Sequence, residues 1–292
     1  MRSWLVSYDP TAAVSPNAVR CGTIKSRSSK TFSYHLELFV VHSLSDTFQF
    51  DTFDVCERTR ATTALRLLGQ ASTSMEEAAN EVVEYLYRSF QTPFGKPACA
   101  LIRCFKTHRL GDLPADLREV ALRPLGGSPS DEDVLCLTLL ATRGDQPEWN
   151  TRFGSRGHKA IPLASTAILA RAPMIARLVV QFGLDPHSFL NPEPNPSRSS
   201  TPQTLRVFHV EEALDSDFIP AQSSFVVPFG IHSVLGFGGL LPSGDLFCIL
   251  MFSCVHISPE TANLFEPLAS EVRRALLGPA LRPIFSGKAP VV

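Results

Sequence analysis

Apolar residues recur at helical spacing in three segments of the chain. Residues 74–91 open with Ser-Met-Glu-Glu, a capping box, and continue with an apolar stripe that predicts a helix. Residues 165–184 carry a second stripe, which Pro173 must kink or divide. Residues 258–277 predict a third helix, because a Ser-Pro pair precedes the stripe and a Gly-Pro pair follows it.

Short apolar runs between these helices predict β-strands. One run contains Pro162, which places it at the edge of a sheet. The last two runs are joined by Pro-Ser-Gly-Asp and therefore predict a hairpin. A short helix is predicted at 112–125 and a long exposed loop at 186–203. The predicted strands are residues 98–105, 134–141, 158–163, 205–210, 224–227, 231–241 and 246–254.

The order of these elements predicts an α+β fold, with a central antiparallel sheet flanked by helices. Residues 73–280 form the predicted domain. Residues 1–72 are rich in Ser, Thr and Arg and are interpreted as a partly flexible N-terminal arm. Within the arm, residues 34–41 alternate in polarity, which fits an edge strand as well as a mobile segment. Residues 281–292 are expected to form a loose tail.

Four stretches of the predicted domain resemble a GAF-like segment of the GAF/PAS superfamily, as found near the N-terminus of bacterial sensor histidine kinases and diguanylate cyclases. The resemblance spans about residues 72–280 and implies helices packed on one face of the sheet, with a small-molecule pocket on the other. It also implies a sensory or regulatory role in signal transduction. The stretches are residues 96–101, 147–150, 157–163 and 226–244.

Composition, charge and the first residues argue against several classes of protein. The 27 Lys and Arg nearly balance the 28 Asp and Glu, so the net charge of −1 argues against general electrostatic binding of nucleic acid. The longest apolar runs, such as residues 246–252, are far shorter than the roughly 20 residues that cross a bilayer. The first residues lack the apolar core of a secretory signal. We therefore expect a cytoplasmic protein.

The resemblance directs attention to residues that can bind a small molecule or a cofactor such as haem. An indole offers a broad apolar face, and a neighbouring Asn offers both a donor and an acceptor. Histidines near a pocket are candidate haem ligands. The glycine-rich stretch 236–239 lacks the features of a phosphate loop and is interpreted as structural. The predicted ligand-binding residues are Trp149, Asn150, His158, His209, His232 and Phe237.

No catalytic residues or metal ligands are predicted, but two alternatives stay open beside the sensor. A thiol-redox enzyme on the same fold would need a reactive cysteine, and a protein-interaction module would need no ligand. The chain ends soon after its last predicted helix, so we expect the output in a partner such as a kinase or cyclase, or in a homodimer. The seven cysteines are scattered, without a Cys-x-x-Cys motif, at Cys21, Cys56, Cys99, Cys104, Cys136, Cys248 and Cys254.

Overall fold

A computed structural model gives the fold of most of the chain. The predicted arm strand at 34–41 and Cys21 lie outside the described residues. The described residues are 46–126, 132–155, 157–170, 172–190, 205–219, 221–278 and 282–286.

Within these ranges, six strands form one open sheet in the order β3-β2-β1-β6-β5-β4, and every neighbouring pair is antiparallel. The predicted α+β class with a central antiparallel sheet is therefore confirmed. The predicted hairpin is the β5–β6 pair, and the predicted proline-containing edge strand is β3. The strands are β1 Cys99–Arg109, β2 Leu135–Gly144, β3 Ala160–Pro162, β4 Arg206–Val210, β5 Ser233–Leu240 and β6 Leu246–Ser253.

The helices follow the sequence signals closely where those signals are strong. The side chain of Ser74 accepts from the N–H of Glu77, as a capping box requires, and the Glu77 carboxylate reaches back to the N–H of Thr73. Pro173 divides the second predicted helix in two. The helices are α1 Val55–Leu67, α2 Met75–Ser89, α3 Ala115–Leu122, α4 Thr166–Ala170, α5 Pro173–Gln181, α6 Pro186–Leu190, α7 Pro259–Asn263 and α8 Glu266–Leu277.

Each face of the sheet buries its own apolar core. On the helical face, α1, α2 and α8 cover a core in which Phe90 and Phe237 pack around Phe265, with ring centroids 5.2 and 5.5 Å from it. The opposite face, which we call the loop face, includes Leu101 and Leu250 and is covered by α5 and by connecting segments. Alternation along each strand sends neighbouring residues to different faces, so both faces can be apolar.

Three predicted elements differ from the structure. The predicted strand 224–227 is wrong, because Gln222–Val226 forms a π-helix, in which the N–H of Val227 donates to the carbonyl of Gln222 at 3.0 Å. A run as short as Ser-Phe-Val-Val does not distinguish a strand from a buried helical turn. The predicted helix at 112–125 is shortened to α3, with a 3₁₀ turn on each side. The predicted loop 186–203 begins with α6, and its remainder from residue 191 lies outside the described residues.

The predicted arm and tail also contribute to the fold. Helix α1 lies within the predicted arm, yet Ala61, Ala64 and Leu65 are fully buried in the helical-face core. Its Arg66 binds the carboxylate of Glu271 in α8 through two hydrogen bonds. In the predicted tail, the segment 282–286 lies against α2, whose first two N–H groups donate to carbonyls of this segment. Helix α1 and residues 282–286 therefore pack with the predicted domain, although both lie outside its predicted bounds of 73–280.

Candidate functional site

A buried arginine with unsatisfied hydrogen-bonding capacity lies in the middle of β1, on the loop face. Arg103 is only 9% exposed, and its Nη2 donates to the Oγ of Ser155 at 3.0 Å. Its Nε is also buried but has no hydrogen-bond partner. Among the described residues, no carboxylate lies within 4.0 Å of this guanidinium. Burial lowers the pKa of Arg103 to about 10, because a low-dielectric environment disfavours the charged form.

A second unsatisfied polar group lies beside Arg103. Thr142 is its direct partner in the register of β1 and β2, so the two side chains are neighbours on the same face. Thr142 is 1% exposed, and its Oγ1 is buried without a hydrogen-bond partner. Buried polar groups are nearly always hydrogen-bonded, and each exception requires an explanation. Two adjacent exceptions, one of them charged, make this pair a candidate binding site.

The described part of the connection between β2 and β3 covers these two residues, and we call residues 145–155 and 157–159 the covering loop. At its start, the Oδ1 of Asn150 accepts from the N–H of Gly144 at 3.0 Å, which ties the loop to the end of β2. Near its end, Ser155 accepts from Arg103 and donates to the carbonyl of Gly157 at 3.2 Å. The loop therefore rests directly on the guanidinium.

Trp149 fixes the loop to an aromatic cluster. Its ring centroid lies 5.7 Å from that of Phe225 and 4.6 Å from that of Phe229. The indole also lies against Gly144, where an added Cβ would come within 2.9 Å of the ring and within 2.6 Å of the Ala100 carbonyl oxygen. A side chain at position 144 would thus displace the indole or the strand. The sequence predicted Trp149 and Asn150 as ligand contacts, and here they anchor the covering loop.

The other predicted ligand residues are placed in different parts of the fold. His158 lies at the end of the covering loop with much of its surface exposed; partial desolvation of its ring and then the positive charge of Arg103 lower its pKa. His209 is half-buried on the edge strand β4, and His232 is exposed just before β5. Phe237 is fully buried in the helical-face core. The structure therefore brings Trp149, Asn150 and His158 into one loop but does not bring the other three residues to it.

Sequence reasoning missed the two strand residues of the site, Arg103 and Thr142, and the loop residue Ser155. The sequence held one usable signal, a charged residue in the interior of the apolar run 98–105. Charged residues are rarely buried unless they are paired. An arginine in the interior of an apolar strand is therefore a candidate site residue on the sequence alone.

A buried ion pair connects the covering loop to the helical part of the molecule. The Nε of Arg152 donates to Glu76 at 2.9 Å, and its Nη1 donates to Asp116 at 2.7 Å. The side chains of Arg152 and Glu76 are only 4% and 5% exposed. The second oxygen of Glu76 accepts from the N–H of Ser286 at 2.9 Å. The loop that covers Arg103 is thus joined to the first turn of α2 and to the segment 282–286.

An open cavity of about 400 Å³ lies elsewhere, near the start of α1. None of the sequence-predicted ligand residues lines it. Its one acidic residue, Glu57, has a raised pKa because of burial and of the nearby Asp54. Glu57 also belongs to the first turn of α1, where acidic residues are common for structural reasons. We therefore regard the site beneath the covering loop as the stronger candidate. The cavity is lined by Thr47, Phe48, Gln49, Thr52, Glu57, Gln91, Thr92, Pro93 and Gly95.

The thiol-redox alternative requires a cysteine that is exposed and has a low pKa. Burial raises the pKa of Cys136 and of Cys248 to about 12, and it also raises the pKa values of Cys99 and Cys104. Cys56 is exposed.

We expect iodoacetamide to modify Cys56 in the native protein well before it modifies the four buried thiols, because the thiolate is the reacting form and needs access. Peptide mass spectrometry after timed alkylation measures this order, and rapid modification of any buried thiol would contradict it.

His108 is a buried polar side chain on the helical face. It is 3% exposed, neither ring nitrogen has a hydrogen-bond partner, and its ring centroid lies 5.3 Å from that of Phe285. Burial, followed by the charge of Lys106, lowers the pKa of His108 to about 3, although Asp245 acts in the opposite direction. Its ordinary pKa is 6.5. Between these two values the unfolded chain binds a proton that the folded protein does not bind.

We therefore expect His108 to make the free energy of unfolding decrease as pH falls through this window. One such proton contributes a slope of at most about 1.4 kcal/mol per pH unit. Urea unfolding at a series of pH values should show a shallower dependence for His108→Phe than for the wild type. The variant His232→Gln, at an exposed histidine, serves as the control. Equal slopes for His108→Phe and the wild type would contradict a neutral buried imidazole.

Three further findings complete the description of the site. None of the helices in the described ranges is long and apolar enough to cross a membrane. Within the same ranges, no group of three or more His, Cys, Asp and Glu side chains is arranged to hold a metal ion. A comparison with protein-family profiles found no matching family, and a comparison with curated proteins found no matching protein.

Proposed function

We propose that this protein is a regulatory domain that binds a small molecule between the loop face of the sheet and the covering loop. The observation that carries the proposal is the pair of adjacent, buried and unsatisfied groups, Arg103 Nε and Thr142 Oγ1. Leaving such groups unpaired costs about 1–3 kcal/mol each, and more for a charged group. A ligand that supplies acceptors removes this cost, so ligand-bound protein is favoured over the empty form.

The packing of the helices supports a GAF-like interpretation of this domain. Helices α2 and α8 lie on the helical face, and the candidate site lies on the opposite face, as the resemblance to sensor domains implies. In the proposed mechanism, binding repositions the covering loop. Because Arg152 of that loop holds Glu76 at the start of α2, the movement changes the first turn of α2 and the segment 282–286. A partner protein, or a second copy of the chain, reads this change.

Fluorescence of Trp149 provides a direct test, because the chain has only two tryptophans and Trp4→Phe leaves Trp149 as the single indole. The Trp4→Phe protein is titrated with fractions of a protein-free cell extract. We expect at least one fraction to change the emission of Trp149 in a saturable way and to raise the melting temperature. Trp149→Ala should weaken the rise in melting temperature, because it removes an anchor of the covering loop.

Hydrogen exchange tests the relay separately. An active fraction should change amide exchange in the first turn of α2 and in residues 282–286, and the middle of β6 serves as an internal reference. If no fraction changes either emission or melting temperature, the proposed function is wrong, and a ligand-free interaction module becomes the better interpretation. If emission changes but exchange near Glu76 does not, the binding part stands and the relay is wrong. A UV–visible spectrum of the same preparation tests for a coloured cofactor such as haem.

A further inference from the structure

We infer that the ligand of this site carries a carboxylate group, which binds the Nε–H of Arg103 and the hydroxyl of Thr142. The inference rests on the function proposed above and adds the chemical group that the site recognises. It follows from the charge of the site, from the number of free donors and from the residues around them.

Charge is the first argument. Arg103 is a buried cation without a carboxylate within 4.0 Å among the residues that the structure describes. Other cations nearby are already occupied: Arg152 binds two carboxylates, Arg143 binds Glu84, and the Nζ of Lys159 donates to a backbone carbonyl. Partial desolvation and Arg103 lower the pKa of His158, which favours its neutral form. Among the described side chains of this site, Arg103 is thus the buried cation that lacks a carboxylate partner, and a ligand carboxylate would compensate its charge.

The donors are the second argument. The guanidinium uses Nη2 for Ser155, so its free buried donor is the Nε–H. The Thr142 hydroxyl provides another donor on the adjacent strand. A carboxylate has two oxygens and accepts from two neighbouring donors, in bonds that are shorter and stronger than those between neutral groups. A phosphate monoester carries up to two negative charges and three acceptor oxygens at neutral pH. The two free donors, the Nε–H of Arg103 and the hydroxyl of Thr142, would leave at least one of its oxygens without a partner.

The surroundings of the donors indicate the rest of the ligand. Leu101 lies two residues before Arg103 on β1 and therefore on the same face. The indole of Trp149 lies beyond it, against Gly144, and continues into the rings of Phe225 and Phe229. An apolar or aromatic body attached to the carboxylate would meet this surface when the covering loop moves. Benzoate is consequently a suitable probe, and acetate tests the carboxylate without the body.

The Nε–H of Arg103 can be observed directly by NMR. The full chain is labelled with ¹⁵N, and Arg103→Lys identifies the arginine Nε–H signal that belongs to this residue. Sodium acetate, sodium benzoate, phenyl phosphate, benzamide and sodium chloride are then added in parallel at equal ionic strength. We expect acetate and benzoate to move the Arg103 signal downfield in a saturable way, with tighter binding of benzoate. Benzamide and chloride should leave the signal in place.

Two variants test the assigned partners. Thr142→Val keeps the shape of the side chain but removes the hydroxyl, and we expect it to weaken benzoate binding about tenfold, the effect of losing one hydrogen bond to a charged group. Arg103→Lys should weaken benzoate binding at least as strongly as Thr142→Val does. Binding to each variant is measured by the rise in its melting temperature with benzoate. Arg60→Gln is the control, because it removes an exposed positive charge from α1, outside the covering loop, and should leave benzoate binding within about twofold.

Each contrary result has a distinct meaning. If neither acetate nor benzoate moves the Arg103 signal, the carboxylate assignment is wrong. If phenyl phosphate moves it and the carboxylates do not, the assignment is also wrong, while the proposed small-molecule function stands. Equal effects of benzamide and benzoate would show that the apolar body binds without its charge, which likewise overturns the inference. Failure of every extract fraction to affect Trp149 would instead remove the proposed function itself.

Discussion

Replacing Arg152 by methionine is expected to lower the free energy of unfolding by about 3–5 kcal/mol. The substitution removes both hydrogen bonds to Glu76 and Asp116 while it keeps most of the apolar volume. Glu76 is then left as a buried carboxylate whose remaining donors, in the part of the chain that the structure describes, are those of Ser286. The guanidinium also lies 4.2 Å from the ring centroid of Phe153, a contact that methionine replaces only in part. Urea unfolding of the variant and the wild type measures the difference.

Two further variants identify the cause of that loss. Arg60→Met removes an ion pair with Asp46 whose arginine side chain is 49% exposed, so it should cost less than about 1 kcal/mol. The double variant Glu76→Leu with Arg152→Met should be more stable than Arg152→Met alone, because it leaves no unpaired charge behind. A loss for Arg152→Met that is no larger than the loss for Arg60→Met would mean that the buried pair is not formed in solution.

The sequence predicted those parts of the fold whose signals are local. The capping box and apolar stripe of α2 lie within one short segment, and the Pro-Ser-Gly-Asp turn alone predicts the β5–β6 hairpin. Pro162 alone predicts an edge strand, because proline lacks the N–H that would donate a hydrogen bond to a second neighbouring strand. Each of these elements is specified by residues that are close together in the chain.

The elements that were missed depend on distant residues. Helix α1 has no strong apolar stripe; its buried surface consists mainly of alanines, and its connection to α8 joins Arg66 to a carboxylate 205 residues away. The segment 282–286 is ordered by contacts with the start of α2, which the local composition does not reveal. Small buried side chains and long-range hydrogen bonds leave little trace in a hydrophobicity pattern.

The residues of the candidate site likewise fall into two groups, those with a local sequence signal and those that only the fold brings together. Trp149 and Asn150 were selected as site residues from the sequence because their residue types in a polar loop are a local signal. Arg103 and Thr142 lie 39 positions apart in the sequence, and only the pairing of β1 with β2 makes them neighbours. Whether a buried arginine has a carboxylate partner is a tertiary property. The sequence therefore indicated which loop matters but not which strand residues lie beneath it.

Replacing Arg103 by methionine is expected to act in the opposite direction from the same change at Arg152. Both arginines are buried, but within the described ranges Arg152 has two carboxylate partners and Arg103 has one neutral partner, Ser155. Methionine at position 103 removes an uncompensated buried charge and an unsatisfied Nε–H, and it fills the same apolar space. We expect the ligand-free protein to gain about 1–3 kcal/mol in the free energy of unfolding. Most substitutions of buried residues destabilise, so a gain is a distinctive result.

The gain in stability should be accompanied by a loss of binding. Sites that must hold a ligand keep groups that are unfavourable when the site is empty, and removal of such groups stabilises the fold at the expense of function. Arg103→Met should therefore melt at a higher temperature than the wild type and show no further rise with benzoate. Arg103→Lys shows whether the charge is the cause, because it keeps the buried charge and should bring no gain in the free energy of unfolding. If Arg103→Met destabilises the protein as much as Arg152→Met does, Arg103 has a compensating partner, and the case for a ligand beneath the covering loop fails.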